Sequence, residues 1–368
     1  MLKITIIAGA RPNFMKIAPI IKAIELFAAS GNAINFRLVH TGQHYDKKMS
    51  GSFFEQLGIP EPHANLEAGG GTQAEQTAQI MVKFEQELLV NPTDVVLVVG
   101  DVTSTMACSI VAKKLKTQVV HVEAGIRSGD LTMPEEINRM LTDAITDQFF
   151  TTSELANQNL RDSGITDERI HFVGNTMIDT LLANQERLFN PNILYQGNPL
   201  ENKNFIVLTL HRPANVDEET QLKAMMDAIL KGTGELPVIF PVHPRTAKNL
   251  TQLGISHERL LYVEPLSYLE FNYLVKHAKA VITDSGGITE ETTVMRVPCL
   301  TLRDNTERPE TITLGTNELV GTHPENLKPY LDKLFAGNWK KGSSIPFWDG
   351  KTAKRIVDIL LRIYGNDC

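Results

Sequence analysis

The sequence lacks the features that mark several classes of protein. It contains only three cysteines, Cys108, Cys299 and Cys368, with no Cys-x-x-Cys spacing, so neither a disulfide framework nor a cysteine-held metal site is indicated. No apolar run reaches the roughly 20 residues that a membrane helix needs. The opening run, Met1–Ala8, resembles a β-strand and not a signal peptide. We therefore expect a reduced, cytoplasmic protein without a metal or a membrane partner.

Nucleotide-binding motifs of the common kinds are also missing. There is no G-x-x-x-x-G-K-[ST] phosphate loop, and the first turn, Gly9-Ala10-Arg11-Pro12, is not G-x-G-x-x-G, so a nicotinamide site is not indicated. No Asp-x-Asp pair is present that would hold a metal-bound diphosphate. A diphosphate would have to be held by backbone N–H groups, arginine and histidine, and we expect no cofactor.

The composition is that of a globular protein large enough for two domains. The chain has 368 residues, of which 42% are hydrophobic and 21% charged. Its net charge of −7 argues against non-specific binding of nucleic acid or of an anionic membrane. A few local cationic and N–H groups could still bind an anionic small molecule.

Short apolar runs alternate with helical patterns along the whole chain. Continuous apolar strands between helices predict parallel sheets that are covered on both faces, and each half holds enough units for its own doubly wound sheet. We predict an α/β protein with domains at 1–173 and 174–351. The segment Asn190–Asn204, rich in Asn, Pro and Gly, is expected between the halves or on the surface of the second.

The segment Thr283–Glu291 is the most informative in the chain. A buried strand leads into Ser285-Gly286-Gly287 and then into a helix, and the N–H groups at a helix start favour an anion. A carboxylate would repel a phosphate, so Glu290 or Glu291 better suits ribose hydroxyls. The segment thus favours a nucleotide diphosphate, while an ordinary glycine-lined turn remains the alternative.

Acidic residues gather at the ends of predicted strands, where ligands of doubly wound sheets bind. Asp101 is either a reactive acid or the N-cap of the next helix. Glu123 ends a buried strand, and because burial raises a carboxyl pKa it suits an acid or base; the alternative is an ion pair with Arg127. Glu135 lies in a first helical turn, where acids are ordinary, and is spaced to pair with Arg139.

Basic residues and histidines follow other strands. Arg11 and Lys16 lie at a helix start that disfavours cations, which suggests contact with an anionic substrate or leaving group; a solvated basic pair is the alternative. His211 could hold a diphosphate, although a histidine at a strand end is often structural. The same two interpretations apply to His243. Arg308 follows a strand within a mixed charge run that would otherwise be a solvated loop.

Taken together, these motifs resemble a known family. The strings GARPNFMK, TGQH, GDVTST, HVEAGIRSGD, PEEINR, GNTMID, HRPANVD, PVHPR, DSGGITEE, RDNTERPE and GTN occur in this order. In combination they resemble the non-hydrolysing UDP-N-acetylglucosamine 2-epimerases of bacteria. The resemblance implies two Rossmann-like domains facing a central cleft, as in glycosyltransferases of the GT-B fold, with a C-terminal helix (352–368) that completes the first domain. It also implies a homodimer and cofactor-free interconversion of UDP-GlcNAc and UDP-ManNAc for surface polysaccharide.

The resemblance also implies roles for individual residues. Asp101, Glu123 and Glu135 match the acidic groups and His211 the histidine near the diphosphate. The expected UDP-sugar contacts are Arg11, Lys16, Arg139, Phe271, Ser285, Gly286, Gly287, Glu291 and Arg308. Parts of a regulatory site for a second, activating UDP-GlcNAc are matched by Gln43, Arg212 and His243.

The chain departs from the family pattern in places. Leu266 stands where many members have Gln, and the loop Glu67–Thr72 lacks a basic residue that some members use near the regulatory site. Several activities stay open: epimerisation of a related UDP-sugar such as a diacetamido-uronate, hydrolysing epimerisation, glycosyl transfer, and binding without turnover.

Overall fold

The protein divides into two α/β units, each with its own parallel sheet. A computed structural model describes residues 1–42 and 54–365. Unit 1 comprises Met1–Ala183 and Pro346–Cys368, and unit 2 comprises Asn184–Ile345. In the described part of the chain, no helix combines the length and the apolarity needed to cross a membrane.

Unit 1 contains a seven-stranded sheet whose strands run in the order β3-β2-β1-β4-β5-β6-β7 with parallel neighbours. Its elements are β1 (Leu2–Ala8), α1 (Arg11–Ala29), β2 (Ile34–His40), β3 (Ala64–Asn65), α2 (Gln73–Val90), β4 (Val95–Val99), α3 (Thr103–Lys114), β5 (Gln118–Val122), α4 (Pro134–Ile145), β6 (Gln148–Thr151), α5 (Glu154–Asp162), β7 (Ile170–Phe172) and α6 (Thr176–Asn184). The strand order reverses between β1 and β4, which is where ligands of doubly wound sheets bind.

Unit 2 contains a six-stranded parallel sheet in the order β12-β11-β10-β13-β14-β15. Its elements are the antiparallel pair β8 (Leu194–Tyr195) and β9 (Asn198–Pro199), then β10 (Ile206–Thr209), α7 (Pro213–Val216), α8 (Glu219–Gly232), β11 (Val238–Pro241), α9 (Pro244–Gln252), β12 (Leu260–Val263), α10 (Tyr268–His277), β13 (Ala280–Thr283), α11 (Gly286–Val294), β14 (Cys299–Thr301), α12 (Pro309–Thr313), β15 (Asn317–Leu319) and α13 (Leu327–Phe335). The reversal here lies between β10 and β13. A last helix, α14 (Thr352–Tyr364), belongs to unit 1.

The continuous apolar strands are explained by burial on both faces of each sheet. In β4, Val95, Leu97 and Val99 point into the core that α1 and α14 cover, while Val96 and Val98 point into a second core beneath α2 and α3. Unit 2 repeats the arrangement with its own pair of cores. The predicted fold class, two doubly wound parallel-sheet domains, is confirmed.

The chain passes between the units at 183/184, one helix after the predicted boundary at 173/174. The difference arises because α6 is bonded to unit 1. Thr180 Oγ1 donates to the Met15 carbonyl, and the buried Asp179 carboxylate accepts the N–H groups of Thr352 and Ala353 at the start of α14. The returning helix α14 then contributes Ile356 and other apolar residues to the core around α1.

Candidate active site

A buried ion pair lies at the carboxyl end of the sheet in unit 1. Glu123 follows β5 directly, its side chain is only 2% exposed, and its Oε2 lies 2.5 Å from Lys16 Nζ. Burying a charge is costly unless it is paired, and the Lys16 ammonium supplies the pairing. Sequence analysis predicted this buried strand-end carboxylate, but the alternative pairing with Arg127 is wrong because Arg127 donates to Asp143 at 2.7 Å instead.

The backbone around this pair has an unusual conformation. Glu123 has a positive φ of 68°, which costs a residue with a side chain about 1 kcal/mol or more. Gly100, after β4, also has a positive φ, of 67°, and a Cβ at this position would lie 2.9 Å from Lys16 Nζ. Glycine here therefore leaves space for the ammonium group, and the turns after β4 and β5 together hold the pair.

Asp101 follows Gly100 directly and is hydrogen-bonded to an arginine. Arg139 donates to Asp101 Oδ2 from Nε at 3.0 Å and from Nη2 at 2.6 Å. The N-cap of α3 is Val102, so the alternative role of Asp101 as N-cap is wrong. Arg139 was expected at the substrate; the structure places its guanidinium against two carboxylates, Asp101 and Glu136.

Glu136, not Glu135, is the buried acid of the adjacent pair in α4. Glu136 accepts Arg139 Nη1 at 2.7 Å and the backbone N–H groups of Ser128 and Gly129. Burial opposes ionisation of Glu136, but these hydrogen bonds outweigh it and hold its pKa below the ordinary value. Glu135 is exposed at the start of α4, and the bond to Arg139 expected for it is made by Glu136. Sequence spacing missed this residue.

A buried histidine fixes the turn that precedes Asp101. His121 Nδ1 lies 2.7 Å from Asp143 Oδ1, and its Nε2 lies 2.8 Å from the Gly100 carbonyl oxygen. Burial opposes ionisation of Asp143, but the hydrogen bond and charge of His121, together with Arg127, lower its pKa. Sequence analysis did not single out His121; a histidine inside the apolar strand β5 was the available signal, because a buried imidazole needs polar partners.

In unit 2, the strand ends at the reversal point bring a histidine to a carboxylate. His211 follows β10 with its side chain 61% exposed, and its Nδ1 lies 2.7 Å from Oδ1 of the fully buried Asp284, which follows β13. Burial opposes ionisation of Asp284, but the bonds from His211 and from the Arg212 N–H lower its pKa. Asp284 is a third residue, after Glu136 and His121, that was not assigned to the site from the sequence.

The predicted glycine turn lies next to Asp284. Ser285 precedes α11, and its N–H donates to Thr283 Oγ1 at 3.0 Å. Apart from the chain neighbours and the nearby backbone of α11, no described atom lies within 4 Å of a Cβ placed on Gly287, and for Gly286 the nearest is Arg303 Nη1 at 3.8 Å. Neither glycine has a positive φ, so what they supply is space beside the N–H groups of the first helical turn, as an anion would require.

The acidic pair in α11 is buried. Glu290 forms an ion pair with Arg308 Nε, and Arg308 was expected to contact UDP. Glu291, 4% exposed, accepts from Asn272 Nδ2 at 3.3 Å. Burial raises the pKa of Glu291 to about 7; the Glu290 charge also raises it, whereas Asn272 and Tyr268 oppose the rise.

The remaining predicted residues occupy separate positions. Phe271 is half-buried on α10 and packs on the apolar core of unit 2. His243 is the N-cap of α9, where its Nδ1 accepts the Arg245 N–H, and Arg212 Nη2 lies 3.8 Å from Glu307. Gln43 and the Arg11 side chain lie outside the described residues. Within residues 1–42 and 54–365, no group of three or more His, Cys, Asp or Glu side chains could hold a metal ion.

Two doubly wound sheets with carboxylates, a histidine and a glycine turn at their carboxyl ends are typical of nucleotide-binding enzymes. The UDP-N-acetylglucosamine 2-epimerase family model matches residues 28–361. The chain is 42% identical to the UDP-N-acetylglucosamine 2-epimerase of Methanocaldococcus jannaschii, over 98% of this chain and 99% of that protein. The chain belongs to the UDP-N-acetylglucosamine 2-epimerase family, which confirms the resemblance.

A crystal structure of this relative and one further relative are informative. The crystal structure of the M. jannaschii enzyme in complex with UDP-GlcNAc and UDP matches with a TM-score of 0.87 and 41% identity, covering 98% of this chain and 100% of that one. The UDP-2,3-diacetamido-2,3-dideoxy-D-glucuronate 2-epimerase of Pseudomonas aeruginosa is 39% identical over 87% of this chain and 88% of its own length.

Proposed function

We propose that this protein interconverts UDP-GlcNAc and UDP-ManNAc without a cofactor, by eliminating and re-adding UDP. The buried Glu123, held by Lys16 at the carboxyl end of β5, is the observation that carries the proposal. Family membership and the UDP-GlcNAc bound to the M. jannaschii relative support the choice of substrate.

The reaction needs acid–base groups because the C2 proton of the sugar is not adjacent to a carbonyl. Expulsion of UDP from C1 gives the ring oxocarbenium character and makes the C2 proton removable, which leaves 2-acetamidoglucal and UDP. A proton then returns to the opposite face of C2 while UDP adds again at C1. In this proposal Glu123, Asp101 and Glu135 supply the acid–base groups.

The proposal assigns the UDP moiety to unit 2. The diphosphate meets the N–H groups of Ser285, Gly286 and Gly287 and the His211 imidazole, which stabilise the charge that develops on the leaving UDP. Glu291 accepts the ribose hydroxyls, and Phe271 lies beside the uracil.

Proton NMR with UDP-GlcNAc in D2O tests this function directly. Epimerisation by elimination is expected to give a UDP-ManNAc signal and deuterium at C2 of both sugars. Release of free ManNAc and UDP would show a hydrolysing epimerase, and transfer only in the presence of an acceptor would show a glycosyltransferase. Binding of UDP-GlcNAc without turnover would overturn the enzymatic assignment.

A related sugar is the second candidate, because the 39% identical P. aeruginosa relative is named for a diacetamido-glucuronate substrate. The two candidates are separated by kcat/KM for the two UDP-sugars in the same NMR assay. We expect the larger kcat/KM for UDP-GlcNAc. A larger kcat/KM for the UDP-diacetamido-uronate would identify that sugar as the substrate.

We also propose that the protein forms a homodimer. Ile137, Met140 and Leu141 share one side of α4, since they are spaced three and four residues apart, and each is 46% exposed. An exposed apolar stripe of this kind is typical of an interface.

A further inference from the structure

The carboxylate of Asp284 is completely buried and collects donors from the loop that follows β10. Its Oδ1 lies 2.7 Å from His211 Nδ1. Its Oδ2 accepts hydrogen bonds from the His211 N–H at 3.0 Å, the Arg212 N–H at 2.9 Å and Asn215 Nδ2 at 3.1 Å. The His211 N–H also reaches Oδ1, at 3.2 Å. This one side chain therefore connects the ends of the two strands between which the sheet order reverses.

We propose that Asp284 is the positioning residue for His211, holding the imidazole with Nδ1–H towards the carboxylate and Nε2 outwards to the diphosphate of UDP. This inference rests on the proposed function, in which His211 meets the diphosphate. With a proton on each ring nitrogen, the imidazole donates to the carboxylate through Nδ1 and to the diphosphate through Nε2. The exposed imidazole would otherwise adopt several rotamers, and the carboxylate selects one.

The two carboxylate oxygens of Asp284 contact different groups, so the Asp284→Asn variant specifically tests the contact with His211 Nδ1. The Arg212 N–H and Asn215 Nδ2 donate to Oδ2 alone, and the His211 N–H lies nearer to Oδ2 than to Oδ1, so in the variant the amide oxygen is expected to stay at the Oδ2 position. The amide NH2 group then takes the place of Oδ1 and faces His211 Nδ1. Because an NH2 group can only donate, Nδ1 must accept, and the imidazole proton moves to Nε2.

The first test is the tautomer of His211, observed by ¹⁵N NMR of histidine-labelled protein at alkaline pH, where free imidazole is neutral. The His211→Gln variant identifies the resonances. We expect Nδ1–H in the unmodified protein and Nε2–H in Asp284→Asn. The same tautomer in both proteins would overturn the inference. This measurement needs no substrate, so its result does not depend on whether the proposed activity is correct.

The second test is kinetic. We expect Asp284→Asn to lower kcat about 100-fold, the usual scale for losing a group that stabilises charge developing in the transition state. The Kd for UDP should change much less, because the N–H groups at Gly286 and Gly287 are untouched. In a His211→Gln background, Asp284→Asn should lower kcat by less than about threefold. An undiminished effect in that background would show that Asp284 does not act through His211.

Asp179→Asn is the matched structural control. Asp179 is likewise buried and accepts two backbone N–H groups, but it has no histidine partner among the described residues. We expect this variant to lower Tm and to leave kcat unchanged. If Asp284→Asn matched it, with a lower Tm and an unchanged kcat, Asp284 would be a structural residue only. If the unmodified protein bound UDP-GlcNAc without turnover while the tautomer switched as expected, the proposed activity would fail and the positioning role would stand.

Discussion

Lys16 and Glu123 form a short ion pair, with Nζ 2.5 Å from Oε2. The pair lies at the carboxyl ends of the strands, where ligands of this fold bind. Glu123 is in the left-handed backbone region, and Gly100 provides the space for Lys16. Strained backbone and buried charge both oppose stability, and their presence at one position is typical of a site retained for its chemistry.

Changing Glu123 to Gln should abolish exchange of the C2 proton, with a loss of at least about 100-fold in kcat, because the amide cannot accept the proton. Deuterium incorporation at C2 and calorimetric binding of UDP measure the two effects, and UDP binding should be retained. Glu87→Gln is the matched control, since Glu87 is paired with Arg37 at 2.6 Å elsewhere in unit 1. Full exchange in the Glu123 variant would remove this residue from the mechanism.

Changing Lys16 to Met should destabilise the protein by about 3–5 kcal/mol, because it leaves the buried Glu123 charge without its ammonium partner. Urea unfolding measures the free energy. Adding Glu123→Gln to this variant removes the charge that has lost its ammonium partner and should recover part of the loss. A double variant less stable than Lys16→Met alone would contradict the pairing.

Changing Arg139 to Lys should lower kcat about tenfold or more, although the charge is kept. A lysine cannot reproduce the guanidinium bonds to Asp101 and Glu136 at the same time. Arg161→Lys is the control, because Arg161 also bonds two carboxylates but at the surface. Equal kcat values for both variants would show that the position of Asp101 does not limit the reaction.

Glu291 should make stability depend on pH in a predictable direction. Its pKa rises from 4.5 to about 7 on folding, so the folded state holds a proton that the unfolded state loses. This stabilisation is complete below pH 4.5 and is lost as the pH rises through 7, amounting to about 3 kcal/mol. Thermal unfolding of the protein and of Glu291→Gln should therefore give curves that diverge between these pH values. Parallel curves would contradict the shift.

The same carboxyl group should link UDP binding to pH. An ionised carboxylate accepts two ribose hydroxyls, whereas the protonated form keeps one oxygen as a donor. UDP affinity should accordingly rise as the pH approaches 7, and titration calorimetry in buffers of different ionisation enthalpy should detect a released proton. Binding without proton release would remove Glu291 from the ribose contact.

Replacing Ile137, Met140 and Leu141 together by Gln should convert a dimer into a monomer, because it removes the exposed apolar stripe of α4. Light scattering after size-exclusion chromatography measures the mass. Leu194→Gln, at an exposed apolar position in unit 2, is the control and should leave the mass unchanged. A monomer before any substitution would contradict the homodimer.

Sequence patterns predicted the continuous apolar strands, the burial of Glu123 and the turn at Ser285, because each depends on residues that are adjacent in the chain. A continuous apolar run indicates a buried strand, and a polar residue directly after it must lie at the carboxyl end of that strand. Pairings between distant residues could not be predicted in this way. His211 and Asp284 are 73 residues apart, and only the parallel pairing of β10 with β13 brings them together.

The choice between Glu135 and Glu136 shows the same limit at close range. Both follow Pro134 in one helical turn, and propensity treats them alike. What separates them is the rotation of α4 against the loop at Ser128 and Gly129, whose N–H groups need an acceptor. The rotation of a helix about its own axis depends on the residues that pack against it. The spacing of residues within the helix sequence does not specify those partners.

The return of α14 to unit 1 has a consequence for biosynthesis. Ile356, Val357 and Leu360 fill the core beside α1, so unit 1 cannot complete this core until residue 364 has emerged from the ribosome. In the sequence, unit 2 comes between the two segments of unit 1, so it can complete its own two cores earlier. The nascent chain must therefore carry an open apolar groove along α1 throughout the synthesis of unit 2, until α14 closes it.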